Sequence, residues 1–215
     1  MLISNYVYIK NYWIRKPYFK GKSKEVTKIS KKIKKLITDM LDTMYHANGV
    51  GLAAPQVGEN LRIFVIDVSD PSGPINPLVF VNPKIIKKSG AITSYEGCLS
   101  FPKAYTTVRR YKNVIVKALD INGRPFIKEA KDGELLARAI QHEFDHLDGN
   151  LFIDHCRNRF DANNVLAKYN LPPIEEDRLI DEQELEEEIL LWEKENPDEA
   201  EKLRKEIEEL ENGKQ

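Results

Sequence analysis

Cysteine is scarce in this 215-residue chain. There are two, Cys98 and Cys156, so no disulfide framework holds the fold and a reducing, cytoplasmic setting is expected. Histidine is nearly as rare, with four residues in all. No apolar run approaches the ~20 residues that a membrane-crossing helix needs, so no membrane association is expected. Met1 to Arg15 mixes Asn, Tyr and Lys10 among its apolar residues and has no uninterrupted hydrophobic stretch, so no signal peptide is expected. A net charge is nearly absent too, at −1, but that total conceals a segregation. Of the 34 acidic and 33 basic residues, 18 and 6 fall in residues 174–215, which leaves residues 1–173 at +11 and the tail at −12. What remains is a chain with 41% hydrophobic and 31% charged residues, enough for one domain with a substantial core and an appendage.

Two of the four histidines lie in His142-Glu143-Phe144-Asp145-His146, an H-E-x-x-H segment within a helical pattern from Glu134 to Leu147. At about 3.6 residues per turn, His142 and His146 share a face and both imidazoles can reach one metal ion. Glu143 flanks that face, where a carboxylate can take a proton from a bound water. Leu135, Leu136, Ala139, Ile140, Phe144 and Leu147 form the stripe that buries the helix, with Asp132 expected as its N-cap and Gly149 as its stop. A water-activating metal takes three protein ligands. Downstream, Asp148, Asp154 and His155 are available and none stands out. Upstream, Cys98 in Glu96-Gly97-Cys98-Leu99-Ser100 is either a ligand or a small buried hydrophobe. Gly49-Val50-Gly51-Leu52-Ala53-Ala54-Pro55-Gln56 has no helix or strand period. It reads either as a glycine-rich turn before the strand Leu61–Asp67 or as a backbone wall against a ligand, ending in an amide that can meet an oxyanion.

The three segments, in this order, resemble the peptide deformylases, which carry G-x-G-L-A-A-P-Q, then E-G-C-L-S, then Q-H-E-x-D-H. Gln141 directly precedes His142 here, and the resemblance spans about residues 25 to 160. It implies that Cys98, His142 and His146 hold one divalent metal, Fe²⁺ foremost, with Ni²⁺, Co²⁺ or Zn²⁺ as substitutes. It implies Glu143 as general acid/base, with Gln56 and the Leu99 N–H as the oxyanion donors. Gly51 and Gly97 would bind the substrate backbone, and Val50, Leu135 and Ala139 the methionine side chain. The implied reaction is hydrolysis of the N-formyl group from N-formylmethionine on nascent polypeptides, releasing formate. Arg138, Ser94 and Tyr105 depart from the pattern of relatives and bear on side-chain selectivity. A zincin-like endopeptidase with a downstream third ligand and a non-catalytic binding protein on the same fold are the competing readings.

The expected fold class is α+β: short antiparallel strands packed around a central metal-binding helix, with an extra C-terminal acidic helical extension. Ser23 to His46 carries Ile29, Ile33, Leu36, Ile37, Met40, Leu41 and Met44 at helical spacing. Strands are expected at Arg62–Val68, Leu78–Ile86, Asn113–Leu119 and Pro125–Glu129, with a hairpin turn at Asn122-Gly123. A helix from Asn158 to Tyr169 is ended by Pro172-Pro173. The domain boundary follows, with a catalytic domain at 1–173 and an acidic helical hairpin at 174–215, striped by Leu185/Ile189/Trp192 and Leu203/Ile207/Leu210. That tail is expected to pack on the body or to self-associate. Lys28, Lys31, Lys32, Lys34 and Lys35 offer a basic face, either simply solvated or turned toward the RNA of the ribosome.

Overall fold

Ser30 opens the first helix, α1 (Lys31–His46), by accepting a hydrogen bond from the Ile33 N–H at 3.3 Å. The helix is thus shorter at its N-terminus than the Ser23–His46 expectation, and Ile29 packs from outside it. In a computed structural model the chain is described over residues 21–70, 72–156 and 158–174, with isolated positions at 194, 197, 198, 201 and 205. The chain separates into two compact units, Met1–Leu179 and Ile180–Gln215. Both expected tail stripes lie outside the described residues, which in the second unit are helical and include a Lys205–Glu201 pair one turn apart.

Five antiparallel strands form one sheet in sequence order: β1 (Gly51–Ala53), β2 (Ile63–Ile66), β3 (Leu78–Cys98), β4 (Phe101–Leu119) and β5 (Pro125–Ala130). The α+β class holds, and β1, β2 and β5 are short as expected, but β3 and β4 are not. β3 and β4 run 21 and 19 residues and pair along almost their whole length. Residues 87–112, which include Ser89-Gly90 and Pro102, were not among the expected strands. The ladder runs through Ser89-Gly90 in constant register, and its register shifts fall at Val81/Lys84, Ile85/Lys87 and Gly97/Cys98. The Asn122-Gly123 turn falls between β4 and β5 as expected, with Gly123 at φ 81°.

The second helix, α2 (Leu135–Asp148), packs against β1, β2 and β4 and stops at Gly149, whose φ of 80° suits a residue without a Cβ. Its N-cap is Glu134, not Asp132. Asp132 sits at φ 56° with its N–H held by the Asn113 side chain at 2.9 Å, so it belongs to the turn that precedes the helix. Leu136, Ala139, Ile140 and Leu147 of the expected stripe are buried, whereas Leu135 is partly exposed and Phe144 lies beneath the Arg62 guanidinium at 5.2 Å. One core cluster joins Ile37, Met40 and Met44 of α1 to Leu52, Ile63, Val65 and Val81. A second joins β4 to the third helix, α3 (Arg159–Lys168), through Phe101, Val108, Phe152, Val165 and Leu166. Asn158 caps α3 as expected, and Asn163 ties down Ile174 through both of its backbone groups.

Candidate metal centre and its cavity

Cys98 ends β3, and Leu99-Ser100 form the two-residue turn into β4, where Cys98 pairs with Phe101. The turn carries the cysteine to the flank of α2, where His142 and His146 stand one turn apart. Cys98 Sγ lies 3.4 Å from His146 Nε2, and the ligand atoms of Cys98, His142 and His146 all fall within 4.8 Å of one another. All three residues are buried. Burial pushes the Cys98 thiol up, but the imidazoles of His146 and His142 outweigh it and hold the thiol well below its ordinary value. Burial likewise lowers His142, and Cys98 and Glu96 more than reverse this.

His142 is oriented from behind. Its Nδ1 meets Glu96 Oε2 at 3.2 Å, which leaves Nε2 for the opposite side. Glu96 is gripped by Arg110 through Nε at 3.1 and 3.3 Å and Nη2 at 3.0 Å. Arg110 also donates through Nη1 to Asp145, which pairs with His155 at 2.9 Å. Burial opposes the Glu96 charge, but Arg110 and His142 overcome it and bring the carboxyl down to about 2. Asp145 is held low by Arg110 and His155 against its own burial. Sequence reasoning missed this chain of buried charges. Glu96 and Asp145 stood within the quoted motifs without a role, and nothing local marks Arg110.

Glu143 is buried beside the triad, and its Oε2 has no hydrogen-bond partner. Burial is the main cause that raises its carboxyl to about 7, with Cys98 adding to it and His142 and His146 opposing. Gly51 is the wall it leans on: a Cβ built at Gly51 would lie 2.4 Å from Glu143 Oε1. The segment around it is the strand β1 followed by a turn of 3₁₀ helix, Ala54–Val57, which is too short to show a period in sequence. Gln56 sits in that turn. Its Oε1 accepts from the Ala53 N–H at 2.7 Å, which fixes the amide so that Nε2 points at Cys98 Sγ (3.6 Å) and Ser100 Oγ (3.2 Å).

These groups line one cavity of about 700 Å³. Val50, Gly51, Gln56, Gly97, Cys98, Leu99, Leu135, Ala139, His142 and Glu143 all face it, so of the expected site residues only the deeper His146 is not in its lining. Tyr95, Tyr105 and Arg138 line it as well, whereas Ser94 turns toward Glu96. The downstream residues weighed as third ligand are engaged elsewhere. Asp148 pairs with Arg62, Asp154 accepts from the Leu151 N–H, and His155 meets Asp145. Among the described residues, Cys98, His142 and His146 are the one group arranged to hold a metal ion.

A thiol and two imidazoles gathered beside a buried carboxyl suit a metal-dependent hydrolase. Residues 12–161 match the family model described as polypeptide deformylase. A peptide deformylase from Dictyoglomus thermophilum is 51% identical over 140 residues, covering 65% of this chain and 87% of that protein. Peptide deformylase 1 of Clostridium perfringens is 52% identical over 134 residues, covering 62% and 88%. Among solved structures, a peptide deformylase from Synechococcus elongatus, in complex with actinonin, superposes with a TM-score of 0.68 at 42% identity, over 75% of this chain and 90% of that one. One from Legionella pneumophila gives 0.67 at 41%, over 73% and 89%. The chain belongs to the polypeptide deformylase family.

Proposed function

We propose the following division of labour for the reaction of this family. The chain is an enzyme that hydrolyses the N-formyl group from the start of newly made polypeptides, releasing formate. Cys98, His142 and His146 hold one divalent metal, best Fe²⁺, with Ni²⁺, Co²⁺ or Zn²⁺ as substitutes. The donor set supports this, since a thiolate with two imidazoles suits borderline metals. So does the Glu96 contact, which leaves His142 Nε2 toward the cavity. When bound, the metal supplies Lewis-acid polarisation and acidifies water at the site.

The protein's own groups do the rest. Glu143 accepts the proton of the attacking water at a carboxylate oxygen and returns it to the nitrogen of the leaving amine. A carboxyl that burial makes easier to protonate can do both. Gln56 Nε2, locked by the Ala53 N–H, and the Leu99 N–H at the hairpin turn donate to the oxygen on which charge develops. Gly51 and Gly97 expose backbone to the peptide. Val50, Leu135 and Ala139 receive the methionine side chain and exclude water around it. The observation that carries this reading is Glu143, buried with a free oxygen between Gly51 and the Cys98/His142/His146 cluster.

The wider setting we propose is a cytoplasmic enzyme, acting where formylated chains leave the ribosome, in which residues 1–173 are catalytic and residues 174–215 are an acidic helical appendage. Formate release from formyl-Met-Ala-Ser, by protein purified without oxygen and loaded with Fe²⁺ or Ni²⁺, tests the assignment. Activity that survives Cys98→Ser with full metal content refutes the ligand set.

A further inference from the structure

Between the end of α1 and the start of β1, residues 47–50 form a turn that walls one side of the cavity, and Ala47, Asn48, Gly49 and Val50 all line it. α1 holds the near end of this turn. The Ala47 N–H donates to Thr43 O at 3.0 Å, the Asn48 N–H to Tyr45 O at 3.0 Å and the Gly49 N–H to Met44 O at 2.9 Å. The far end is held through Val50 O, which accepts from the Asp67 N–H at 2.9 Å. Asp67 directly follows β2, and its buried carboxylate has no part in the chemistry proposed above. Four donors nevertheless fill it. Oδ2 accepts from the Tyr45 hydroxyl at 2.6 Å and the Asn76 N–H at 3.0 Å, and Oδ1 from the Ser69 N–H at 2.9 Å and the Ser69 hydroxyl at 2.6 Å. Tyr45 belongs to the last turn of α1, so its bond to Asp67 ties one anchor of the wall to the other. Toward Leu99 the wall has no slack, since a Cβ at Gly49 would lie 2.7 Å from Leu99 Cδ1. Movement away from Leu99 is what the two anchors oppose.

We propose that Tyr45 and Asp67 are positioning residues: their bond fixes the 47–50 turn so that Val50 closes on the substrate's methionine side chain. This rests on the reading above, which gives Val50 that contact. A retreat of about 0.5–1 Å by an apolar wall forfeits about a quarter to a half of the attraction between the touching atoms. The loss falls on a side chain long enough to reach Val50 and spares a methyl group. Val50 meets the side chain before and during the reaction alike, so the loss appears in KM and leaves kcat alone.

A merely structural bond would lower the melting temperature and leave substrate choice alone, so the test reads KM and kcat for two peptides in each enzyme. Formate release from formyl-Met-Ala-Ser and formyl-Ala-Ala-Ser is measured with the Ni²⁺-loaded full chain, Tyr45→Phe, Asp67→Ala, the double variant and Ile37→Val. Ile37 is buried in the core on the same helix, so its variant reports loss of helix packing alone. Tyr45→Phe is expected to raise KM for the methionine peptide about 2- to 10-fold, the worth of one hydrogen bond, with kcat unchanged and KM for the alanine peptide unmoved. Asp67→Ala should do at least as much. Adding Tyr45→Phe to it should change KM no further, because the hydroxyl has already lost its acceptor. Ile37→Val should melt at lower temperature with both KM values intact. Tyr45→Phe keeps the ring and serves even if Asp67→Ala fails to fold. Equal KM changes for the two peptides, or a Tyr45→Phe enzyme that melts at lower temperature with its methionine KM untouched, overturn the positioning role. Absence of formate from formyl-Met-Ala-Ser with the unaltered enzyme would instead overturn the assigned reaction.

Discussion

Gly51→Ala is the sharpest probe of the site, because it adds one methyl group to a place where the structure has no room. The new Cβ would meet Glu143 Oε1 at 2.4 Å and both Cγ and Cδ at 2.9 Å. Unstrained contacts lie at roughly 3.5–4.0 Å, so either Glu143 or the β1 backbone must retreat by about 1 Å. Glu143 cannot swing freely, since it is buried on α2 between Gly51 and the two histidines. A displacement of about 1 Å at a reacting group costs on the order of 10²-fold in rate, and overpacking a buried position costs about 1–3 kcal/mol of stability. The expected result is a folded protein that binds one metal per chain, melts at lower temperature and releases formate about 10²-fold more slowly. Gly73→Ala is the control, since its Cβ would meet nothing closer than 3.4 Å. A Gly51→Ala enzyme with near-normal kcat/KM would mean that the carboxyl does not work from the position seen here.

Glu143→Gln should retain fold and metal and lose on the order of 10²–10⁴ in kcat, measured by formate release at saturating peptide. Gln56→Ala should cost about 2.7–4 kcal/mol of transition-state stabilisation in kcat, and a change confined to KM would make Gln56 a binding residue only. Arg110→Ala removes the one guanidinium shared by buried Glu96 and Asp145, leaving each with its histidine partner, and should lower stability by about 3–5 kcal/mol in urea unfolding; an unchanged midpoint would show that the network bears no such weight. Asp67 gives a pH test: burial would raise its carboxyl, but hydrogen bonds from Ser69, Tyr45 and Asn76 outweigh this and hold it below its usual value. A lowered folded value contributes stability that is full above about pH 4 and is lost as the pH falls below that, so Asp67→Asn should be less stable at neutral pH and lose less on acidification.

Features whose information is local were legible in the sequence. α2 announces itself by period, by its two histidines and by Gly149, and the Asn122-Gly123 turn by its dipeptide. The Asp132 cap failed because an acidic residue ahead of a helix can equally serve the preceding turn, and here the Asn113 side chain holds it there. The long hairpin was hidden because its strands run on through Ser89-Gly90 and Pro102 and through three register shifts, none of which ends a strand. The charge network was hidden for a deeper reason. Arg110 lies 14 residues from Glu96 and 35 from Asp145, and only the β3/β4 register and the seat of α2 bring them together.

That network also explains why the site needs the whole fold. Gln56 reaches Cys98 across 42 residues, Cys98 reaches His146 across 48, and His142 reaches Glu96 across 46. No two of these segments can hold the geometry alone, because each closure costs chain entropy that only the surrounding core offsets. The elements are chosen for stiffness at the point of contact: a two-residue turn for Cys98, one helical turn between the histidines, and a 3₁₀ turn that fixes the Gln56 amide from its own backbone. Arg110 then joins the two halves, since Glu96 belongs to β3 and Asp145 to α2. The same guanidinium therefore sets the orientation of His142 through Glu96 and the seat of the helix that carries both histidines. Disturbing Arg110 must move His142 and His146 together, so its effect on metal binding and its effect on stability should not be separable by any replacement that breaks its contact with either carboxylate.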